Sequence, residues 1–183
     1  MILPITVYGH PVLRKVAKDI DRNYPELNNL IENMFQTMSY AEGIGLAAPQ
    51  IGLSIRLFII DLSPMGEDEP EFADFKKIFI NAKIVEIDGD EELEEEGCLS
   101  IPTIRERVLR KNRIRITYLD ENFVEHNEEY TGWIARVIQH EYDHIDGKLF
   151  VDKISPLRRR LIKNKLISIS KGKTSVHYKI KTA

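Results

Sequence analysis

Residues Trp133–Gly147 read WIARVIQHEYDHIDG, and the reading of this stretch decides what must surround it. Apolar Trp133, Ile134, Val137, Ile138 and Ile145 recur at helical spacing but cover more than one stripe, so the segment reads as a helix buried on most sides. Thr131 stands where an N-cap belongs, and Gly147 where a C′ residue stops a helix. His140, Glu141 and His144 fall among the buried positions. Residues i and i+4 share a helix face with Cβ atoms about 5–6 Å apart. Two imidazoles and a carboxylate on a buried face are costly unless something satisfies them. A bound cation does so, which is the physical reason the HExxH pattern marks a metal site. This composition would produce the pattern by chance on the order of 0.01 times in the chain. The competing reading is a pair of core histidines with ordinary hydrogen-bond partners. His10, His126 and His177 are isolated in polar or turn-like contexts and read as surface residues.

Two nitrogens leave the site incomplete, so the source of the third ligand decides the chemistry. A metzincin extends the motif to HExxHxxGxxH. Gly147 fits that glycine, but Phe150 stands where the third histidine should be. A gluzincin takes a glutamate from a later helix, and nothing after Asp152 is acidic. The ligand therefore comes from upstream, where the single cysteine, Cys98, lies in EEEGCLSIP. Alone, it reads as a small apolar residue. Beside a helix that lacks a third ligand, it reads as that ligand. A Cys/His/His set leaves one tetrahedral position open for water, the catalytic rather than the closed structural pattern, and suits zinc or ferrous iron.

The rest of the chain bounds the setting. Its 183 residues fit one domain, 1–183, and 43% apolar with 30% charged residues is ordinary globular composition. No run is long and apolar enough to span a membrane. The opening MILPITVYGHPVLRK lacks the charged and apolar regions of a secretory signal, and one cysteine excludes an intrachain disulfide. These features favour a cytoplasmic location. The net charge of −3 hides an asymmetry: residues 153–183 carry ten Lys or Arg and no acid, against 16 basic and 29 acidic residues elsewhere. This basic segment reads either as a solvated C-terminal helix or as an arm that touches phosphate, as on ribosomal RNA.

YPELNNLIENMFQTMSYAEG has helical periodicity through Leu27, Leu30, Ile31, Met34, Phe35 and Met38. GIGLAAPQIG follows as a glycine-marked turn or loop, SIRLFIID as a strand and SPMGEDEPEFADFK as an acidic surface loop. IFINAKIVEID and RIRITYLD are further strands, and DGDEELEEEG is solvated at its start. Strands grouped around a few helices predict an α+β fold, with antiparallel or mixed sheets around the buried HExxH helix and a helix at the C-terminus. GIGLAAPQ is not a phosphate loop, because no GK[ST] follows and a helix rather than a strand precedes it.

Gly43–Gln50 (GIGLAAPQ), Glu96–Ser100 (EGCLS) and Gln139–His144 (QHEYDH) resemble, in this order, the three signature motifs of the peptide deformylases, and LPITVYGHPVLRKVA resembles that family's N-terminus. The resemblance covers roughly residues 1–160. It implies a hydrolase that removes the formyl group from the initiator methionine of nascent polypeptides and releases formate. It also implies that Cys98, His140 and His144 hold one divalent metal ion, with Fe²⁺ favoured over Zn²⁺, Ni²⁺ or Co²⁺. Glu141 is the implied general base, and the Gln50 amide and Leu99 backbone N–H are the implied oxyanion donors. Gly45 would present its backbone to an extended substrate, and Ile44, Trp133 and Val137 would meet the methionine side chain. Arg105 matches a basic position near the substrate mouth. Arg136 departs from the apolar residue expected near the pocket, which leaves the pocket's rim open. The partners implied are formylmethionyl nascent peptides and, through the basic segment, the ribosome, with no membrane and no DNA. Two rivals stand beside this reading: a general HExxH metalloprotease, and a ribosome-associated binding protein with a vestigial metal site.

Overall fold

A computed structural model describes all 183 residues. Ten regular elements follow one another: β1 (Ile5–Thr6), α1 (Leu27–Tyr40), β2 (Gly45–Ala47), β3 (Leu57–Asp61), β4 (Lys76–Cys98), β5 (Ile101–Leu119), β6 (Glu125–Thr131), α2 (Gly132–Ile145), α3 (Pro156–Ser170) and β7 (Ile180–Lys181). Five strands form one antiparallel sheet in the order β2-β3-β4-β5-β6, while β1 and β7 pair in parallel as a separate two-stranded ribbon. The α+β expectation therefore holds, with α2 central and α3 near the C-terminus.

The helix α2 is buried over most of its surface, as its sequence requires. Ala135, Val137, Ile138 and Ile145 pack with Phe58, Ile60, Phe79, Ile114 and Ile116 from three strands. Fully burying one such aliphatic or aromatic side chain stabilises by about 1.5–3 kcal/mol, so this contact ties the helix to the sheet. Thr131 occupies the N-cap position, but its side chain makes no capping bond, because the chain enters the helix directly from β6. Gly147 has φ of 71°, the left-handed conformation of a C′ residue, and Lys148 N–H returns to the Asp143 carbonyl at 2.8 Å.

Four segments depart from or extend their sequence reading. The acidic run is solvated at its start, as expected, with Gly89, Asp90 and Glu91 exposed. It continues β4, where Asp88 faces Arg113, Glu91 faces Lys111, Glu92 faces Arg110 and Glu95 faces Arg107 on β5. Of these facing residues Asp88 and Arg113 form an exposed ion pair, and Glu95 pairs diagonally with Arg105. Strand β5 likewise begins at Ile101, well before RIRITYLD, with Ile104, Glu106, Val108 and Arg110 turned inward at period two. The GIGLAAPQ stretch contains the short edge strand β2 and then a 3₁₀ turn over Ala48–Ile51. Finally, the acidic loop after β3 is surface only in part, since Phe72 and Phe75 enter the main core.

Candidate active site

Strands β4 and β5 form a hairpin closed by the two residues Leu99 and Ser100, which leaves Cys98 at the very end of β4. Helix α2 packs beneath, so the hairpin end, the β2 edge strand and the HExxH face meet. The Cys98 sulfur and one ring nitrogen each of His140 and His144 lie within 4.8 Å of one another, and Cys98 Sγ is 3.3 Å from His144 Nε2. His10, His126 and His177 lie elsewhere, as expected: His10 accepts from the Val12 N–H, His126 meets Asp120, and His177 packs on Tyr40.

Glu96 lies two residues before Cys98 and so on the same face of β4. Its Oε1 is 2.8 Å from His140 Nδ1, which leaves Nε2 of that ring for a metal. The same carboxylate accepts two bonds from Arg110, at 2.7 and 2.9 Å, and one from Arg136 at 2.8 Å. Arg110 then bridges to Asp143 of the QHEYDH motif at 2.8 Å. Burial alone would raise the Glu96 carboxyl, but His140 and Arg110 hold it well below the usual carboxylate range. Burial also opposes charge on both imidazoles. At His140, Cys98 and Glu96 outweigh it, and the pKa stands well above the ordinary value; at His144, His140 and Arg110 add to it, and the pKa falls well below. An ion binds both rings in their neutral form.

Glu141 is 4% exposed, and its Oε2 has no hydrogen-bond partner. Burial, only partly offset by His140, pushes its carboxyl up to about 7. A Cβ at Gly45 would lie 2.4 Å from Glu141 Oε1, so only glycine lets the β2 backbone approach this carboxylate. Gln50, far from a surface residue, is 1% exposed. Its Oε1 accepts from the Ala47 N–H at 2.8 Å, which fixes the amide and turns Nε2 toward Ser100 Oγ at 3.2 Å and Cys98 Sγ at 3.5 Å. A thiol, two imidazoles and a buried unpaired carboxylate oxygen fit a divalent ion with a water beside it.

A cleft of about 570 Å³ opens onto this centre. Ile44, Gly45, Gln50, Cys98, Leu99, Arg105, Trp133, Val137, His140 and Glu141 all line it, so the structure brings the expected site residues together, with His144 buried behind them. Arg105 is exposed at the mouth, paired with Glu95 at 2.7 Å. Arg136 also lines the cleft, but its guanidinium is buried and donates to Glu96 and to the Val108 and Glu92 carbonyls, fastening α2 to the hairpin. Glu96, Arg110 and Tyr178 were not singled out from the sequence. For Glu96 a signal existed in its spacing from Cys98; Arg110 is connected only through cross-strand pairing.

The sequence pattern of the polypeptide deformylases matches residues 2–160. The chain belongs to the polypeptide deformylase family. It is 55% identical to the peptide deformylase of Christiangramia forsetii over 99% of this chain and 96% of that one, and 46% identical to that of Salinibacter ruber over 100% and 95%. The crystal structure of the Thermus thermophilus peptide deformylase superposes with a TM-score of 0.82 at 36% identity, covering 94% of this chain and all of the other. A peptide deformylase from Legionella pneumophila gives 0.81 at 38%, covering 93% and 96%. Membership makes the chain a hydrolase that removes the N-terminal formyl group from polypeptides, in a family that depends on a metal ion. No helix is long and apolar enough to cross a membrane.

Proposed function

We propose that Cys98, His140 and His144 hold one divalent ion, that Glu141 is the general base, and that formylmethionyl nascent peptides are the substrates. The observation that carries this reading is the convergence of three ligand atoms within 4.8 Å beside a buried, unpaired glutamate oxygen. When bound, the ion lowers the pKa of a water and polarises the formyl carbonyl. Glu141 takes the proton of the attacking water and delivers it to the amine nitrogen as the carbon–nitrogen bond breaks, giving formate and a free N-terminus. The Gln50 Nε2 group and the Leu99 N–H receive the negative charge on the carbonyl oxygen, and losing one such donor costs about 10²–10³ in rate. Ile44, Trp133 and Val137 offer apolar contacts for the methionine side chain. The outer edge of β2 lets an extended peptide add as a strand alongside Gly45. We assign Arg105, at the mouth of the cleft, to contact with the substrate.

A metalloprotease would use the same base, but its usual downstream ligand is missing. Intact ligands and base speak equally against a vestigial site.

Fe²⁺ is the ion we assign, because thiolate and imidazole ligands suit it and the family favours it. An iron-loaded enzyme should lose activity on aeration as the ferrous centre and Cys98 oxidise. Formate release from a formyl-methionyl tripeptide, followed during exposure to air, checks this; undiminished activity with iron as the only metal would remove the assignment. A cytoplasmic location goes with this reading.

We also assign the basic α3 surface to ribosome contact. Arg158 pairs with Glu106 and Arg159 with Asp152, whereas Arg160, Lys163 and Lys165 are exposed and join no ion pair. Charge reversal at Arg160 and Lys163 should reduce co-sedimentation with ribosomes severalfold and leave tripeptide hydrolysis unchanged. Undiminished sedimentation would end that assignment.

A further inference from the structure

The turn that carries Leu99 is held from three sides. The Ser100 carbonyl accepts from the Tyr8 N–H at 2.8 Å, and Ser100 Oγ accepts from Gln50 at 3.2 Å. The third hold comes from the far end of the chain, where the Tyr178 hydroxyl donates to the Leu99 carbonyl at 2.9 Å. Tyr178 lies beyond residues 2–160, the part that matches the family pattern. It is nevertheless buried at 8% exposure, packs with Ile5 and Ala41, and lines the cleft together with Val176. The segment around it is anchored on both sides. β7 pairs with β1, with the Val7 N–H on the Lys181 carbonyl at 3.0 Å, and His177 Nε2 is 2.7 Å from the Tyr40 carbonyl.

We propose that Tyr178 is a positioning residue for deformylation: by fixing the Leu99 carbonyl it sets the backbone of that residue and so the aim of the Leu99 N–H at the reacting oxygen. This rests on the role given to Leu99 above. In a two-residue turn only four backbone dihedrals are soft, so holding one carbonyl constrains the neighbouring amide strongly. The hydrogen bond itself adds only modestly to stability. Misplacing a reacting group by about 1 Å can cost about 10² in rate. The two roles therefore differ in magnitude and in what they change.

The test is Tyr178→Phe in the full-length, metal-loaded protein, which keeps the ring and deletes the donor. Formate release from formyl-Met-Ala-Ser should show kcat lower by about tenfold, with KM within about twofold of wild type. Amide hydrogen exchange of the 98–101 segment should quicken, while the rest of the sheet stays protected. Tyr40→Phe, which removes a bond from the Tyr40 hydroxyl to the His177 carbonyl and leaves the Leu99 contact in place, is the control and should keep wild-type kcat. A wild-type kcat with unchanged exchange in Tyr178→Phe overturns the proposal. So does an equal loss in both variants, which would mean general loosening of the C-terminal segment. If the wild-type protein released no formate, the deformylase assignment itself would fall, and the exchange measurement alone would decide whether Tyr178 orders the turn.

Discussion

Replacing Glu141 with glutamine slows formate release from a formyl-methionyl tripeptide by about 10²–10⁴-fold, while the protein keeps its fold and its ion. Glutamine matches the shape of the glutamate against Gly45, where no larger residue fits, so the local packing survives. What disappears is the ability to take a proton from water and return it to the amine. The fold already disfavours charge here, since burial pushes the carboxyl up to about 7. A neutral amide therefore costs the ion-free fold no more than the carboxylate does, and its melting temperature should not fall. Formate kinetics beside metal content and thermal melting separate the cases. A variant within about fivefold of wild-type kcat would remove Glu141 from the proton path. A variant that is inactive because it has lost the ion would show instead that Glu141 acts through the metal centre.

The second large effect is expected at Glu96, which touches no substrate. Its carboxylate sits between the guanidinium groups of Arg110 and Arg136 and the ring of His140, with both side-chain pairs to arginine nearly closed to solvent. Glu96→Gln leaves buried Arg136 without a counter-charge and Arg110 with Asp143 alone, and removing one partner of a buried pair costs about 3–5 kcal/mol. Asp143 still pairs with Arg110, which places the expected loss toward the lower end of that range. Urea unfolding of ion-free protein measures the loss. The same change removes the acceptor that orients His140, and loss of such a partner weakens metal binding by about 10–100-fold. Chelator titration reads that separately. An unfolding midpoint equal to wild type would show that the arginines find other partners, and unchanged affinity that the His140 ring is held without Glu96.

These two residues also mark how far the sequence could be read. Glu141 was legible because its environment is local: five residues of one helix, patterned so that the polar ones must be buried. Cys98 drew attention because neither the metzincin histidine nor a gluzincin glutamate is present, and the structure brings its sulfur within 4.8 Å of both imidazoles. Glu96 was visible within its motif but not in its role, because the arginines that justify a buried carboxylate come from β5 and α2. The acidic run was legible as solvated at its start, but not as part of β4, because the basic residues that pair with it lie across the hairpin on β5. Gln50 lies in the 3₁₀ turn just after the short edge strand, too brief a stretch for periodicity to separate from a loop, so its burial could not be inferred from pattern. Tyr178 is more remote still. It follows a helix with no acidic residue near it, and only the β1–β7 pairing returns it to the cleft.

The most direct measurement is formate released from formyl-Met-Ala-Ser by anaerobically prepared protein, before and after removal and return of Fe²⁺, with bound iron counted on the same samples. A metal-dependent deformylase gives one ion per chain and release that disappears and returns with it. Release that persists without a bound ion, or a protein holding one ion that releases no formate, would contradict it.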